Sequence, residues 1–286
     1  MNLSDVGKDV SNLDSSIAVV TGAARGIGRA VSLGLLEAGA TLVAADRAWD
    51  GAEATRREFE ATGRAMIVTF DLNDAQAVAI ARDRALDRFG RVDILVNNAA
   101  LRMRDLFFPA GLSTVLDAKD SDWDAMHRVI TVGTLTVTRA FVPAMRVSGQ
   151  GGSVVMIGSA GSLPIEHDGD GTWRARRVAP KNQPYDAAKA ALASLAFSLA
   201  GELKPDGIAV NLVWPGGTMT TGSAEMLAAR IAAGVNQGGF LRPEHVVPPV
   251  LHLARQRGRD AQTATALDAP LWNARHGFGE REKWLA

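Results

Sequence analysis

Short apolar runs alternate with longer helix-like stretches along most of this chain of 286 residues. The apolar runs are nearly continuous in Val, Ile, Leu and Ala, which is typical of strands that are covered on both faces. They lie at residues 17–21, 41–45, 65–70, 94–96, 153–157 and 208–213. The helix-like stretches lie at residues 26–38, 52–61, 74–89, 122–147 and 184–203. Because strands that alternate with helices pair in parallel through right-handed crossovers, the pattern predicts an α/β fold with a doubly wound parallel sheet.

The organisation of the chain favours one domain over two. It contains no internal repeat and no linker rich in Pro, Gly or Ser, and its length is ample for a large core. We therefore expect a single domain over residues 1–286, with a polar tail at residues 1–14. That tail lacks the apolar core of a signal peptide, and no apolar run is long enough to span a bilayer. A soluble, cytoplasmic protein is expected.

The composition excludes several classes of function. Lysine plus arginine equals aspartate plus glutamate, 31 each, so the formal net charge is zero. No basic stripe or polybasic cluster indicates a nucleic-acid or membrane partner. The chain has no cysteine, which excludes disulfides, thiolate catalysis and cysteine metal sites. The five histidines show no metal-binding spacing, so no metal site is expected.

A glycine-rich segment, Thr-Gly-Ala-Ala-Arg-Gly-Ile-Gly at residues 21–28, follows the first predicted strand and opens the first helix. Its three glycines permit a tight turn and a close approach of the backbone to a pyrophosphate, and the helix amino terminus offers unpaired N–H groups. The spacing departs from G-x-G-x-x-G, and the absence of Gly-Lys-Ser/Thr excludes a P-loop. The alternative to a dinucleotide site is a turn without a ligand. The predicted contacts to the dinucleotide are Gly22, Arg25, Gly26, Ile27 and Gly28.

Asp46 ends the second predicted strand. A carboxylate there accepts hydrogen bonds from the adenosine ribose hydroxyls and repels a 2′-phosphate, which favours NAD over NADP. Arg25 and Arg47 are the counter-argument, since either side chain neutralises a phosphate. NAD is therefore the predicted cofactor and NADP the alternative.

Asp71 and Leu72 end the third predicted strand, in the run Phe-Asp-Leu-Asn-Asp. They are the predicted cofactor contacts at the adenine, with Asp71 reaching the adenine amino group. Capping of the next helix by Asp71 or Asn73 is the alternative.

The only tyrosine of the chain, Tyr185, precedes Lys189 by one helical turn. Residues i and i+4 share a helix face, so the ammonium should lie near the phenol. A cation there favours the phenolate and lowers the pKa of the tyrosine. The pair is thereby a candidate general acid/base that needs no histidine. The alternative is an ordinary tyrosine at a helix start with a surface lysine nearby.

These features occur in a characteristic order together with Asn-Asn-Ala at residues 97–99, Ser159 and Pro-Gly at 215–216. Over residues 17–255 the chain thereby resembles the short-chain dehydrogenase/reductase family of NAD(P)-dependent oxidoreductases. The resemblance implies a Rossmann-type fold, a nicotinamide cofactor and a small-molecule alcohol or ketone as the substrate. It also implies a homodimer or homotetramer that pairs through helices 122–147 and 184–203.

The resemblance also assigns roles to residues. Tyr185 would be the catalytic acid/base, Lys189 would lower its pKa and hold the nicotinamide ribose, and Ser159 would bind the reacting oxygen. A strand-end serine without a chemical role is the alternative for Ser159. The remaining cofactor contacts that the resemblance implies are Asn97, Asn98, Ala99, Pro215, Gly216, Thr218 and Thr220.

One departure from the family pattern bears on catalysis. The family usually has an asparagine seven residues after the tryptophan of its Trp-Asp pair, and this asparagine helps to hold a water that relays protons to the lysine. Counting from Trp123 places Ile130 there. The relay is then absent or rerouted through Thr131 or Thr134, unless the register is off by one. This departure motivates a second hypothesis, a dinucleotide-binding sensor or scaffold without catalysis.

A third hypothesis is a different enzyme class, a hydrolase or a metal enzyme, on the same sheet. It has little support, because the sequence contains no Gly-x-Ser-x-Gly elbow and no metal spacing.

Another mild departure from the family is Ala100 in place of the glycine of Asn-Asn-Ala-Gly.

Two long segments, residues 101–121 and the insertion 161–183 between Ser159 and Tyr185, should leave the carboxyl ends of strands and cover the substrate. Their aromatic residues suggest an apolar or aromatic substrate; these are Phe107, Phe108 and Trp173. Their arginines either pair with an anionic group on it or are solvated; these are Arg102, Arg104, Arg174, Arg176 and Arg177. Residues 268–286 form an atypical carboxyl-terminal tail without an interpretation.

Overall fold

The computed structural model describes residues 12–103, 106, 114–159, 165–167, 169, 171–175, 182–234 and 239–286. Its main strands are β1 Ile17–Thr21, β2 Thr41–Asp46, β3 Ala65–Thr69, β4 Ile94–Asn97, β5 Gly152–Ile157, β8 Ile208–Trp214 and β9 Ala266–Asp268. They form one parallel sheet in the order β3–β2–β1–β4–β5–β8–β9. Between β5 and β8, the strands β6 Ile165–His167 and β7 Trp173–Ala175 form a separate antiparallel hairpin in the predicted insertion. The predicted doubly wound parallel sheet is confirmed.

Helices connect the strands of the sheet. Their bounds are α1 Gly26–Glu37, α2 Glu53–Ala61, α3 Ala75–Phe89, α4 Asp120–His127, α5 Thr134–Val147, α6 Tyr185–Leu203, α7 Thr221–Ala232, α8 Val247–Ala254 and α9 Ala269–Arg275. The sequence patterns did not predict α7, α8, α9 and β9. None of the helices in the described ranges has the length and apolar character that crossing a membrane requires.

Each face of the sheet is buried under its own layer of helices. One core lies under α3, α5 and α6 and includes Phe141 and Leu192, whereas the other lies under α1, α2 and α8 and includes Leu35. Successive residues of a strand point to opposite faces. Val19 of β1 accordingly belongs to the first core and Val20 to the second. Burial on both faces explains the nearly continuous apolar character of the strand sequences.

The single helix predicted over residues 122–147 is interrupted. The structure has α4, then a π-helical segment Arg128–Gly133, and then α5. Such segments are usually confined to one turn within an α-helix and are frequent at functional sites. Ile130 lies in this segment and is fully buried in the core under α3, α5 and α6.

Exposed apolar side chains lie on the two helices that are predicted to pair between subunits. Val147 at the end of α5 is 88% exposed, and Phe197 of α6 is 36% exposed. These surfaces are compatible with association, and the homodimer or homotetramer stays a prediction.

The carboxyl-terminal residues complete the sheet and form a small core of their own. Asp268 ends β9 and caps α9, where its carboxylate accepts a hydrogen bond from the Leu271 N–H at 3.2 Å. The rings of Trp272 and Phe278 stack with their centroids 5.2 Å apart. With Leu241 and Trp284 they form a third buried cluster, separate from the two cores of the sheet.

This cluster is tied to the segment that follows β8. Leu285 pairs with Leu241 in an antiparallel bridge, and Leu241 pairs with Thr218 in a parallel one. The Arg242 N–H donates to the Trp284 carbonyl oxygen at 2.7 Å. The last residues of the chain therefore support the loop around Thr218 through backbone hydrogen bonds.

Truncation of Trp284 tests this support. Trp284 is 4% exposed, so we expect Trp284→Ala to lower the free energy of unfolding by about 3–5 kcal/mol, because the cluster loses a large buried side chain. Leu271→Ala is the matched control, since Leu271 is 58% exposed in the same tail and should cost less than about 0.5 kcal/mol. Urea unfolding followed by circular dichroism measures both, and equal midpoints for the two variants would show that the cluster does not stabilise the fold.

Candidate active site

A cavity of about 540 Å³ lies at the carboxyl ends of the parallel strands. This is the edge where open α/β sheets bind ligands, next to the point at which the strand order reverses, here between β1 and β4. Its volume is in the range of small-molecule sites. Of the predicted site residues, all except Gly28 and Asn97 line this cavity. Residues separated by most of the chain therefore meet in one place.

The ends of β1 and β4 are joined by a compact set of hydrogen bonds. The Asn98 side-chain amide donates to the carbonyl oxygens of Thr21 at 2.9 Å and Gly22 at 3.1 Å. The backbone N–H groups of Asn98 and Ala99 both donate to the Thr21 hydroxyl, at 3.0 and 3.1 Å. Asn98 therefore lines the cavity, and its amide also fixes the start of the glycine loop.

Glycine is required at two positions of this loop. Gly22 has φ +66°, in the left-handed region that favours glycine. At Gly28 a Cβ atom would lie 2.0 Å from the Gly22 carbonyl oxygen and 2.5 Å from Nδ2 of Asn98. Gly28 thus lies under the loop and allows α1 to pack closely against it, which is why it does not line the cavity.

The amino terminus of α1 is open towards an anion. Its N-cap residue, Arg25, makes no side-chain capping bond, and the first turn of α1 contains no acidic residue. The first N–H groups of a helix lack intrahelical partners and carry a partial positive charge. A phosphate group therefore fits here, and the residues present fit the pyrophosphate of a dinucleotide.

Asp46 is fixed at the end of β2 by two backbone contacts. One carboxylate oxygen accepts a hydrogen bond from the Ala24 N–H at 3.0 Å, and the other accepts from the Ala48 N–H at 3.3 Å. Arg47 is exposed and lines the same end of the cavity. The Arg25 guanidinium donates to the Asp50 carbonyl oxygen. The Asp46 carboxylate, which favours NAD, and the Arg25 and Arg47 guanidinium groups, which favour NADP, thus line the same cavity.

The capping alternative for Asp71 and Asn73 is wrong. The N-cap of α3 is Asp74, whose carboxylate accepts from the N–H groups of Gln76 and Ala77 at 3.0 and 2.9 Å. The Asp71 carboxylate instead accepts from the Asn73 N–H at 2.8 Å within the turn after β3. Asp71 and the largely buried Leu72 both line the cavity.

Tyr185 and Lys189 share one face of α6, as their spacing predicts. The Lys189 ammonium is buried, donates to the Ile157 carbonyl oxygen at 2.6 Å and lies 5.7 Å from the centroid of the tyrosine ring. Burial lowers the pKa of Lys189 to about 8. The ammonium therefore lies over the ring face and is held by the end of β5.

The sequence predicted a lowered pKa for Tyr185, whereas its surroundings in the structure raise the pKa. Burial raises the pKa of Tyr185, and the neighbouring Asp186 carboxylate raises it further. Both effects disfavour the phenolate, since burial in a medium of low polarity opposes any charge and a second anion repels it. The tyrosine therefore keeps its proton at neutral pH.

Ser159 lies two residues beyond the end of β5 and lines the cavity with Tyr185. The long insertion between them does not separate them in space. The backbone of Trp173 and Arg174 belongs to β7, whereas Phe107, Phe108, Arg104, Arg176 and Arg177 lie outside the described residues. The idea that these residues cover the substrate stays a prediction.

Asn97 differs from the expectation. Its side chain is buried and donates to the Thr138 hydroxyl at 3.1 Å, so it belongs to the core beneath the cavity rather than to its wall. Thr131 donates to the Ala188 carbonyl oxygen at 3.3 Å, directly before Lys189 in the chain. Of the two threonines considered for a rerouted relay, Thr131 thus contacts α6, whereas Thr134 is buried.

The loop after β8 forms the opposite wall. Pro215, Gly216, Thr218 and Thr220 line the cavity. Thr220 caps α7 by accepting from the Ser223 N–H at 3.1 Å. A Cβ atom on Gly26 would lie 3.0 Å from the Thr220 methyl carbon, so the two loops face each other across a narrow space.

The sequence analysis did not predict a role for His245, which supports the loop after β8 by contacting its backbone. Its Nε2 lies 2.6 Å from the Pro215 carbonyl oxygen and its Nδ1 lies 2.6 Å from the Arg242 carbonyl oxygen. The imidazole is fully buried, which lowers the pKa of His245, although the two carbonyl contacts oppose that shift. The Asn273 side chain donates to the His245 carbonyl oxygen at 2.7 Å. No spacing in the sequence connects these residues.

Further lining residues were also missed. Asn182 and Asp186 lie beside Tyr185, and the only sequence signal for them was that adjacency. Apolar side chains also line the cavity; they include Leu101, Met103, Val129, Met226 and Phe240. Arg102 and Arg230 add two cations to the lining.

Known proteins share both the sequence pattern and the fold. A sequence profile described as short chain dehydrogenase matches residues 16–230. The chain is 42% identical over 273 residues to fluoren-9-ol dehydrogenase of Terrabacter sp. (strain DBF63), covering 94% of this chain and 74% of that protein.

Two solved structures illustrate the similarity in fold. 3-ketoacyl-(acyl-carrier-protein) reductase from Brucella melitensis, complexed with NADH, superposes with a TM-score of 0.73 at 26% identity and covers 90% of this chain and 97% of that one. A protein described as an NAD(P)-dependent gluconate 5-dehydrogenase from Beutenbergia cavernae, with bound NADP, gives 0.69 at 28% identity and covers 90% and 96%. The chain belongs to the short-chain dehydrogenase family, as its sequence pattern predicted.

Substitution of Gly28 tests whether the glycine loop binds a dinucleotide. A methyl group there displaces the Gly22 carbonyl and the Asn98 amide, so we expect Gly28→Ala to weaken NADH binding at least about tenfold, or ~1.4 kcal/mol. NADH titration by calorimetry gives the affinity, and circular dichroism confirms folding. Gly201→Ala is the matched control, because nothing lies within 4 Å of a Cβ there. Unchanged NADH affinity in folded Gly28→Ala protein would contradict the assignment.

Proposed function

We propose that the protein is an NAD(P)-dependent oxidoreductase that interconverts a secondary alcohol and a ketone. When bound, the nicotinamide supplies the hydride donor or acceptor that no side chain can provide. The observation that carries the proposal is that Ser159, Tyr185 and Lys189 line the same cavity as the glycine loop. Family membership and the similarity to a fluoren-9-ol dehydrogenase support the same class of reaction.

Tyr185 is proposed to donate its proton to the carbonyl oxygen in reduction and to accept a proton from the alcohol in oxidation. At neutral pH the phenol carries the proton that the first role requires. Ser159 is proposed to donate a hydrogen bond to the same oxygen. Lys189, which the Ile157 carbonyl holds at 2.6 Å, is proposed to stabilise the tyrosinate and to bind the nicotinamide ribose.

NAD is the proposed cofactor, with NADP as the alternative. The carboxylate of Asp46 is fixed at the end of β2, where it would accept from ribose hydroxyls and repel a 2′-phosphate. One structural relative holds NADH and another holds NADP, so the fold accommodates either dinucleotide.

The proposed substrate is a bulky apolar secondary alcohol or the corresponding ketone. Apolar side chains line the same cavity as Tyr185, among them Met103, Val129, Met226 and Phe240. Burial of a flat hydrocarbon against them is favourable at roughly 25 cal/mol per Å². The relative that acts on fluoren-9-ol supports this class.

Removal of the tyrosine hydroxyl tests the reaction. We expect Tyr185→Phe to lower kcat for fluorenone reduction about 10²–10⁴-fold, because the general acid is lost while the ring remains. NADH and NADPH consumption are followed separately, and NADH binding by the variant serves as the control. Reduction of fluorenone should exceed that of acetone in kcat/KM.

Two results separate the competing hypotheses. NADH binding without turnover of any alcohol or ketone in a broad panel favours the sensor or scaffold, which the apolar Ile130 at the usual asparagine position motivates. Turnover that survives in Tyr185→Phe would mean that another group supplies the proton.

Asp46→Ala tests the cofactor preference. A hydrogen bond to a charged group contributes about 1.5–3 kcal/mol, so the ratio of kcat/KM for NADH to that for NADPH should fall at least about tenfold. Asp50→Ala is the control, because Asp50 is exposed and does not line the cavity. A wild-type preference for NADPH would instead assign the phosphate to Arg25 or Arg47.

A further inference from the structure

His245 is a fully buried histidine that does not line the cavity, although its ring contacts the backbone of the cavity wall. Nε2 lies 2.6 Å from the carbonyl oxygen of Pro215, the first residue after β8. Nδ1 lies 2.6 Å from the carbonyl oxygen of Arg242. The ring therefore links the short 3₁₀ helix Pro243–Val246 to a loop that lies 30 residues earlier in the chain.

The contact with Pro215 is a hydrogen bond when Nε2 carries a proton, because a carbonyl oxygen only accepts. The imidazolium and one of the two neutral tautomers meet this condition. The other tautomer places its proton on Nδ1, but the Arg242 carbonyl oxygen already accepts the backbone N–H of His245 at 3.2 Å. A ring with its proton on Nε2 thus gives both buried carbonyl oxygens a donor, as buried polar groups require.

The segment that carries His245 is held firmly against the rest of the fold. The buried Asn273 side chain of α9 donates to the His245 carbonyl oxygen at 2.7 Å. Two residues after His245, Val247 packs so closely on α1 that a Cβ atom at Gly34 would lie 2.3 Å from its Cγ1. Because α1 is the helix whose amino terminus opens at the glycine loop, His245 shares its support with the proposed phosphate-binding helix.

The loop after β8 needs a hydrogen bond at this place. The pairing of β8 with the sheet ends at Trp214, and Pro215 follows directly. Gly216 then turns the chain with φ +69°, and glycine loses more conformational freedom on folding than other residues. A fixed Pro215 carbonyl group therefore sets the direction of this turn. The residues of the turn that line the cavity are Gly216, Gly217, Thr218 and Thr220.

We infer that His245 is a positioning residue of the proposed reaction, whose Nε2–H group holds the Pro215 carbonyl oxygen and so fixes the loop at residues 215–220 against the dinucleotide. The inference rests on the proposed function for its effect on cofactor binding. The order of the loop concerns the protein alone and is measured without cofactor or substrate.

Two amide variants separate the contacts of the two ring nitrogens. The amide nitrogen of glutamine reaches about as far from the backbone as Nε2, that of asparagine reaches about as far as Nδ1, and both donate. His245→Gln should therefore keep the hydrogen bond to Pro215, whereas His245→Asn should lose it. His127→Asn is the control, because His127 ends α4 and does not line the cavity.

Hydrogen exchange of the cofactor-free protein, followed by mass spectrometry, reports the order of the loop. The Met219 N–H donates to the Leu241 carbonyl oxygen at 2.8 Å and is therefore protected when the loop is held. We expect peptides that cover residues 215–223 to exchange at least about tenfold faster in His245→Asn, because a buried acceptor loses its donor. In His245→Gln and His127→Asn they should stay within about threefold of wild type. Unchanged exchange in peptides of β2 shows that the fold as a whole is retained.

Dinucleotide binding is the second arm. NADH titration by calorimetry should show an affinity about tenfold lower in His245→Asn and within about threefold of wild type in His245→Gln. In fluorenone reduction, the KM for NADH should rise by a larger factor in His245→Asn than kcat falls, because the loop is displaced while Tyr185 and Lys189 stay in place.

The outcomes are distinguishable. Loop exchange that is the same in folded His245→Asn and wild type, or equally fast in His245→Gln and His245→Asn, overturns the inference. Faster loop exchange with unchanged NADH affinity overturns the positioning role. If His245→Asn does not fold, His245→Gln decides: wild-type exchange supports the inference, and faster exchange overturns it. Faster loop exchange in His245→Asn alone, in a protein whose wild type does not bind NADH, supports the hold on the loop and contradicts only the proposed function.

Discussion

Hydrogen bonds between the ends of β1 and β4 are the constraint on which the rest of the site depends. The Asn98 amide and the Thr21 hydroxyl join two strands that lie far apart in sequence, at the point where the strand order reverses. This junction fixes the start of the glycine loop and so aims the amino terminus of α1 at the cavity. The buried Lys189 ammonium forms the corresponding anchor on β5, through the Ile157 carbonyl oxygen.

At the other end of the cavity, burial shifts the pKa values of Tyr185 and Lys189. The same enclosure that raises the pKa of Tyr185 lowers that of Lys189, because both shifts disfavour a charge in a poorly solvated place. A protonated phenol beside an ammonium held by a carbonyl is an arrangement suited to giving up a proton to an oxygen atom. The loop after β8 forms the opposite wall of the cavity. Leu241, which pairs with both Leu285 and Thr218, and His245, which contacts the Pro215 carbonyl oxygen, hold this loop in place.

The fold and most of the site could be predicted from local sequence features. Buried parallel strands are apolar throughout, and a glycine-rich segment between a strand and a helix is typical of few local structures. The strand β1, the glycine loop and the helix α1 could therefore be predicted. The contribution of the tail was not, because Trp272 and Trp284 gain their meaning from contact with Leu241 in another segment. The direction of the tyrosine pKa was also missed, since the spacing to Lys189 says nothing about burial or about the carbonyl that holds the ammonium.

A crystal structure with NAD⁺ and fluorenone bound, a pair between which no hydride can pass, tests the central claim most directly. The account predicts the dinucleotide along the glycine loop, with the ketone oxygen within about 2.6–3.2 Å of the hydroxyls of Tyr185 and Ser159. A ketone oxygen beyond reach of Tyr185, or a dinucleotide bound away from Gly22 and Asp46, would contradict it.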